Sequence, residues 1–215
     1  MPGDNLAVTC QPATVLDNVE LTSRTQDPRF SRSTVVLAVY GALSVLALLI
    51  GAARGHVDLY RLASATPLRM VLSPILGVAA GLVVVFATRL SVHRFDWARR
   101  LHRSFRGLLG DLSFRDVFIL ALASSIGEEL FFRGALLPWL GLWPSTIIFA
   151  LLHVGPGTRF LPWTASAFAV GLGFGALFMH MGDLGGPIAA HFTINFLNLG
   201  YIQRVQLPDE STPPV

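Results

Sequence analysis

The chain has 215 residues, 53% hydrophobic and 13% charged, whereas a soluble globular domain carries about 25% charged residues. All 16 of its basic residues are arginine, set against 13 acidic residues for a formal charge of +3. The arginines flank apolar runs and do not gather on one soluble module, which argues against a nucleic-acid partner. Cys10 is the lone cysteine, so an intrachain disulfide and a thiolate metal cluster are both excluded.

Taken in order, residues 1–32 are polar, with Pro2, Pro12 and Pro28 and no continuous apolar run. They read as a mobile cytoplasmic tail without a signal peptide, since a cleavable signal places its apolar region directly after a short basic start. Ser33 to Ala53 and Met70 to Thr88 are two uncharged stretches near the ~20 apolar residues that a bilayer-spanning helix needs. An arginine-rich segment follows, in which Phe95, Trp97, Leu101, Phe105, Leu108 and Leu109 are interleaved with basic residues. That is the pattern of a basic amphipathic helix lying on anionic lipid headgroups. Val117 to Leu137, Ser145 to Gly155, Pro162 to Met181 and Pro187 to Tyr201 supply four further apolar runs. The second and fourth of these are too short to cross ~30 Å upright, so irregular backbone covered by protein is expected there.

The fold class expected is therefore all-α: a polytopic transmembrane bundle of about six spans with a basic amphipathic interfacial helix. Its parts are a cytoplasmic tail (1–32), two transmembrane helices with the interfacial helix (33–109), a helix bundle carrying the polar residues (110–203) and a C-terminal tail (204–215). With the N-terminus inside, twelve arginines fall on the cytoplasmic side and three, Arg54, Arg61 and Arg69, outside. The positive-inside rule then places both ends in the cytoplasm. Exclusive use of arginine suggests a GC-rich bacterial genome, and hence a multi-pass protein of the bacterial inner membrane. Gly171, Gly173 and Gly175 in "VGLGFGALF" serve close helix packing and not phosphate binding, because no strand precedes them.

Two of the four glutamates, Glu128 and Glu129, lie side by side in the third apolar run. An ionisable group at bilayer depth is costly and is a functional-site hypothesis by default. Glu129 and Arg133 are four residues apart, with the acid on the N-terminal side, and form a supporting ion pair. Glu128 is rotated about 100° away and has no basic residue at helical spacing, which leaves it as the unpaired carboxylate. His153 ends "FALLH" in the fourth run; His191 and Asn195, four apart in "HFTIN", share one face of the sixth. Ser124 and Ser125 have no partner base at helical spacing, so a serine nucleophile is not expected.

"EELFFR", "FALLH" and "HFTIN", in this order and each on an apolar span, resemble the EExxxR, FxxxH and HxxxN motifs of the CPBP family. These are the CAAX proteases and bacteriocin-processing, ABI-type proteins that include the Ras-converting endopeptidase. The resemblance covers roughly Asp116 to Tyr201; before Asp116 the chain matches only in being hydrophobic. It implies that Glu128 and His153 activate a water, that His191 and Asn195 form an oxyanion hole, and that no metal cofactor is needed. A zinc site of Glu128, His153 and His191 is the alternative, although no HExxH motif is present. The substrate implied is a membrane-anchored protein or peptide cleaved near its terminus. One bacterial subset of the family resembles the myxosortases, which remove a C-terminal tail from exported proteins. Two other readings stay open: a non-enzymatic scaffold or immunity protein on the same fold, and a proton-coupled transporter, the latter weakened by the absence of a repeat.

Overall fold

The computed structural model describes residues 32–207; the tail expected over 1–32, apart from Arg32, and most of that over 204–215 lie outside the described residues. The fold is all-α, with no strand among the described residues apart from an isolated bridge between Arg61 and Asp183. In chain order the helices are α1 (Arg32–Ala53), α2 (Pro67–Arg94), α3 (Asp96–Leu109), α4 (Phe114–Glu129), a π-helical segment (Leu130–Leu136), α5 (Leu137–Leu140), α6 (Leu142–Leu151), α7 (Leu161–Met181) and α8 (Gly185–Arg204).

Helix boundaries follow local chemistry. α2 starts earlier than hydropathy alone suggests, because the Thr66 side chain accepts from the Arg69 N–H and Pro67 occupies the first turn, where its missing N–H is harmless. α4 opens with a capping box: the Ser113 side chain accepts from the Asp116 N–H while the Asp116 carboxylate accepts from the Ser113 N–H. Phe95 precedes α3 in extended conformation and separates it from α2.

Three helical stretches, Arg32–Ala53, Pro67–Arg94 and Thr158–Met181, are long and apolar enough to cross a membrane. These correspond to the first, second and fifth expected spans, so the count of six is not reached on length and apolarity. The other three diverge for identifiable reasons. The third run is interrupted by its π segment and carries buried charge. The fourth is helical only over the 10 residues of α6, about 15 Å. α8 has 20 residues but turns His191 and Thr193 inward. Val35, Leu37, Leu49, Val71, Val83 and Phe86 on α1 and α2 are exposed, far more apolar surface than a soluble monomer presents. The protein is a membrane protein.

Two clusters of contacts define the ends of the bundle. At the first, Arg32 donates to the carbonyls of Leu109 and Asp111, Ser33 donates to Asp116, and Arg106 donates to the carbonyls of Ile202 and Gln203. α3 is thereby stitched to the starts of α1 and α4 and the end of α8. At the opposite end the loop after α1 pairs with the α7–α8 turn, through Leu62 N–H to Gly182 O and Leu184 N–H to Tyr60 O. Gly182 makes that turn at φ 84°, a conformation glycine adopts without strain.

α2 and α8 approach backbone to backbone. A Cβ at Gly77 would overlap the Gly186 carbonyl, and one at Gly81 would lie 2.9 Å from Ala190 O. On α7, Gly171 and Gly175 pack tightly against Phe149 and Leu142, so that a Cβ at either would make a neighbouring side chain shift, while Gly173 meets open space. Close packing by small residues, expected for the glycine run, thus holds at two of its three positions.

Candidate active site

The polar residues singled out in the sequence converge at the inner face of α4. Glu129 is fully buried, and its Oε1 accepts from Arg133 Nη1 at 2.9 Å. A second Arg133 nitrogen, Nη2, donates to Gly171 O at 3.1 Å. The guanidinium lies 4.4 Å from the Phe149 ring centroid and 5.3 Å from that of Phe174. A buried cation is tolerated only when its charge is countered and its donors are met, and here a carboxylate, a carbonyl and two aromatic faces do that work.

The same Glu129 oxygen also takes a bond from another helix. His191 Nδ1 lies 2.8 Å from Glu129 Oε1. A carboxylate can only accept there, so Nδ1 carries a proton and the ring turns Nε2 the other way, to 3.9 Å from Glu128 Oε2. The Phe174 ring lies against His191 at 5.4 Å. The sequence gives no sign of this link, because Glu129 and His191 are 62 positions apart and Arg133 already accounts for the acid.

His153 lies just beyond α6, in the irregular backbone expected for that run. Its Nδ1 is 2.7 Å from Phe149 O, which accepts, leaving Nε2 directed at Glu128 Oε2 across 3.7 Å. The Phe149 and His153 rings pack at 4.3 Å, and Trp163 covers the far side at 5.2 Å. The pairing in FxxxH has a physical content: one phenylalanine fixes the imidazole's protonated nitrogen through its carbonyl, and packs its ring against both His153 and Arg133.

Glu128 is 9% exposed. Its Oε2 has no hydrogen-bond partner among the described residues and faces the Nε2 atoms of both histidines, at distances beyond a direct hydrogen bond and suited to a bridging water. Asn195 is one turn beyond His191, and its Nδ2 donates to Ser124 Oγ at 3.0 Å. Ser124 is four residues before Glu128, so the asparagine is docked on the face of α4 that carries the carboxylate. Ser124 itself donates to Ala121 O, and Ser125 to Leu122 O; neither contacts an imidazole through these bonds. Among the described residues no group of three or more His, Cys, Asp or Glu is arranged to hold a metal ion.

The π-helical segment begins directly after Glu129. π turns occur mostly as single-turn insertions, frequently at functional sites, and this one starts where the two glutamates must be aimed at different partners. Nothing in "LFFRGAL" announces it. Gly134 allows the widened turn to pass close to Leu59, whose carbonyl would lie 2.8 Å from a Cβ there.

Comparison with known proteins adds three findings. Residues 111–197 match the family model described as "Rce1-like: Type II CAAX prenyl endopeptidase Rce1-like". The chain is 35% identical over 82 residues to a Bacillus subtilis (strain 168) protein described as uncharacterised protein YpbD, covering 37% of this chain and 41% of that relative's length. No solved structure matches. The matched segment contains all three motifs and the residues gathered around Glu128 and Glu129, and over that segment the chain is similar to the Rce1-like CAAX prenyl endopeptidases.

Proposed function

We propose that the chain is an intramembrane endopeptidase that cleaves a membrane-anchored protein or peptide near its terminus, using Glu128 and His153 to activate water. The observation that carries this reading is the convergence of Glu128 Oε2 with two imidazole Nε2 atoms, at 3.7 and 3.9 Å, inside an apolar bundle. His153, with its proton held on Nδ1 by Phe149 O, offers Nε2 as an acceptor. A water placed between them donates one hydrogen to Nε2 and the other to Glu128, leaving its oxygen lone pair for the scissile carbonyl. As the C–O bond forms, Glu128 takes the proton. The oxyanion receives an N–H from the outward-facing Nε2 of His191 and the second N–H of the Asn195 amide, where each donor contributes about 3 kcal/mol of transition-state stabilisation. Collapse breaks the C–N bond, and the proton held by Glu128 passes to the leaving amine.

The mechanism is metal-independent in this reading. Its test is cleavage of membrane-anchored reporters by purified protein, with the new terminus identified by mass spectrometry, before and after exhaustive chelation with 1,10-phenanthroline. The rate is expected to be unchanged. A loss that zinc restores would move Glu128, His153 and His191 into ligand roles.

The protein sits in a bacterial inner membrane with both termini in the cytoplasm, and α3 lies on the anionic leaflet. Supporting this, Phe95, Trp97 and Leu108 of the α3 region are exposed at one end of the bundle, and Trp139 and Trp143 at the other, as interfacial aromatic belts are. Reporter fusions at Asp4 and Val215 are expected to read inside; an external signal at either end sinks the topology. Exported proteins bearing a C-terminal membrane tail are the substrates that fit a bacterial member of the family.

A further inference from the structure

An oxyanion donor works only if it presents hydrogen, and not oxygen, to the developing charge. Asparagine does not guarantee that: its amide carries an acceptor and a two-hydrogen donor of nearly the same shape, and its last torsion is broad and two-fold. A half-turn about that torsion would replace Nδ2 by Oδ1 and turn stabilisation of the oxyanion into repulsion. Helical spacing from His191 does not choose between the two orientations.

The choice is made on α4. Ser124 is 2% exposed, and its Oγ donates to Ala121 O at 3.3 Å. With the hydroxyl hydrogen given to its own helix, the oxygen can only accept toward α8, and Asn195 Nδ2 lies 3.0 Å from it. An amide turned the other way would set Oδ1 against a serine oxygen whose hydrogen is already used, two acceptors in contact. One N–H of Asn195 is thus held by Ser124, and the other is left for the oxyanion.

This bond has a counterpart. His191 is fixed in the same way, by Nδ1 on Glu129 at 2.8 Å, so both motif residues of α8 give one polar group to a residue of α4. Ser124 precedes Glu129 and Asn195 follows His191, the order that antiparallel helices require. The separations are five residues on α4 and four on α8, about 7.5 and 6 Å along their axes. Apposition of the two helices has its own support: Phe118 packs on Phe192 at 5.8 Å and on Phe196 at 6.2 Å, and Phe114 on Phe196 at 5.8 Å. Phe192 and Phe196 directly follow His191 and Asn195. Aromatic contacts seat the helix, and the two polar bonds orient what it carries.

We propose that Ser124 is a positioning residue for Asn195, its hydroxyl selecting the amide orientation that turns N–H toward the oxyanion. The assignment rests on Asn195 being an oxyanion donor. Ser124 lies one turn before Glu128, so the base and the group that orients the oxyanion donor are carried by one helix.

The test compares Ser124→Ala, Ser124→Cys and Ser124→Thr in the full chain with Asn195→Ala and with the double variant Ser124→Ala, Asn195→Ala. Each is assayed as kcat and KM, per folded molecule, on a membrane-anchored reporter. Ser124→Ala is expected to lower kcat about tenfold, the scale of one neutral hydrogen bond, with KM unchanged because the donor acts in the transition state. Asn195→Ala is expected to lower it about a hundredfold or more. Adding Ser124→Ala to that variant is expected to change nothing further, since the serine acts through the amide. Cysteine fills the space of serine but accepts poorly and should match alanine, whereas threonine restores the hydroxyl and should recover kcat. Where threonine's extra methyl lowers the yield, the double variant and the cysteine decide. A full rate in Ser124→Ala beside a slow Asn195→Ala overturns the role of Ser124 alone. So does an undiminished loss from Ser124→Ala on the Asn195→Ala background, or rescue by cysteine, either of which marks the serine as packing. Asn195→Ala at the parent's rate removes the oxyanion reading of Asn195, and the assignment of Ser124 with it.

Discussion

Glu128→Gln is expected to abolish proteolysis, by at least about 10³-fold, while the protein accumulates at the parent's level in detergent. The amide keeps the shape of the carboxylate, so packing around α4 is preserved. What it loses is basicity at Oε2, the atom that faces both imidazoles at 3.7 and 3.9 Å. Cleavage per folded molecule, read by mass spectrometry of a membrane-anchored reporter, is the measurement. Retained cleavage would place the catalytic carboxylate elsewhere, and a chain acting only as a scaffold would show no cleavage in either form.

Glu129→Gln is expected to behave differently. Arg133 is 2% exposed and loses its counter-charge, a defect of about 3 to 5 kcal/mol when one partner of a buried pair is removed. Yield and thermal midpoint should therefore drop. The structure adds a second effect, because Glu129 Oε1 also accepts from His191 Nδ1: the surviving folded molecules should cleave more slowly, with His191 no longer held in one orientation. Replacing both members, Glu129→Leu with Arg133→Met, separates these effects. Removing the whole pair is often neutral or stabilising, so yield should recover while cleavage does not. Recovery of both would show that Glu129 serves only to neutralise Arg133.

These two substitutions also mark what could be read from the sequence. Helical spacing sufficed for Glu129 with Arg133 and for His191 with Asn195, since side chains four apart on a helix share a face whatever packs against it. The motif order placed His153 near them. Contacts between elements were invisible: the His191–Glu129 bond and Asn195 on Ser124 each depend on which helix faces leave the lipid. Span counting was limited for the converse reason. α8 and the helix bearing the glutamates spend residues on polar inward groups, and hydropathy averages those against their outward apolar face.

The glycine contact between α2 and α8 ties the first half of the chain to the chemistry of the second. Gly77 and Gly81 let backbone meet backbone at Gly186 and Ala190, and Ala190 immediately precedes His191. A helix seated against side chains can slide as those side chains change rotamer; one seated on a neighbouring backbone has no such slack. α2 therefore acts as a fixed rail that sets the height and rotation of the helix delivering His191 and Asn195, within the roughly 0.5 Å tolerance that a catalytic constellation demands. Even a methyl group on that rail would displace His191 and Asn195, although it would be added outside the 111–197 segment and far along the sequence from every motif.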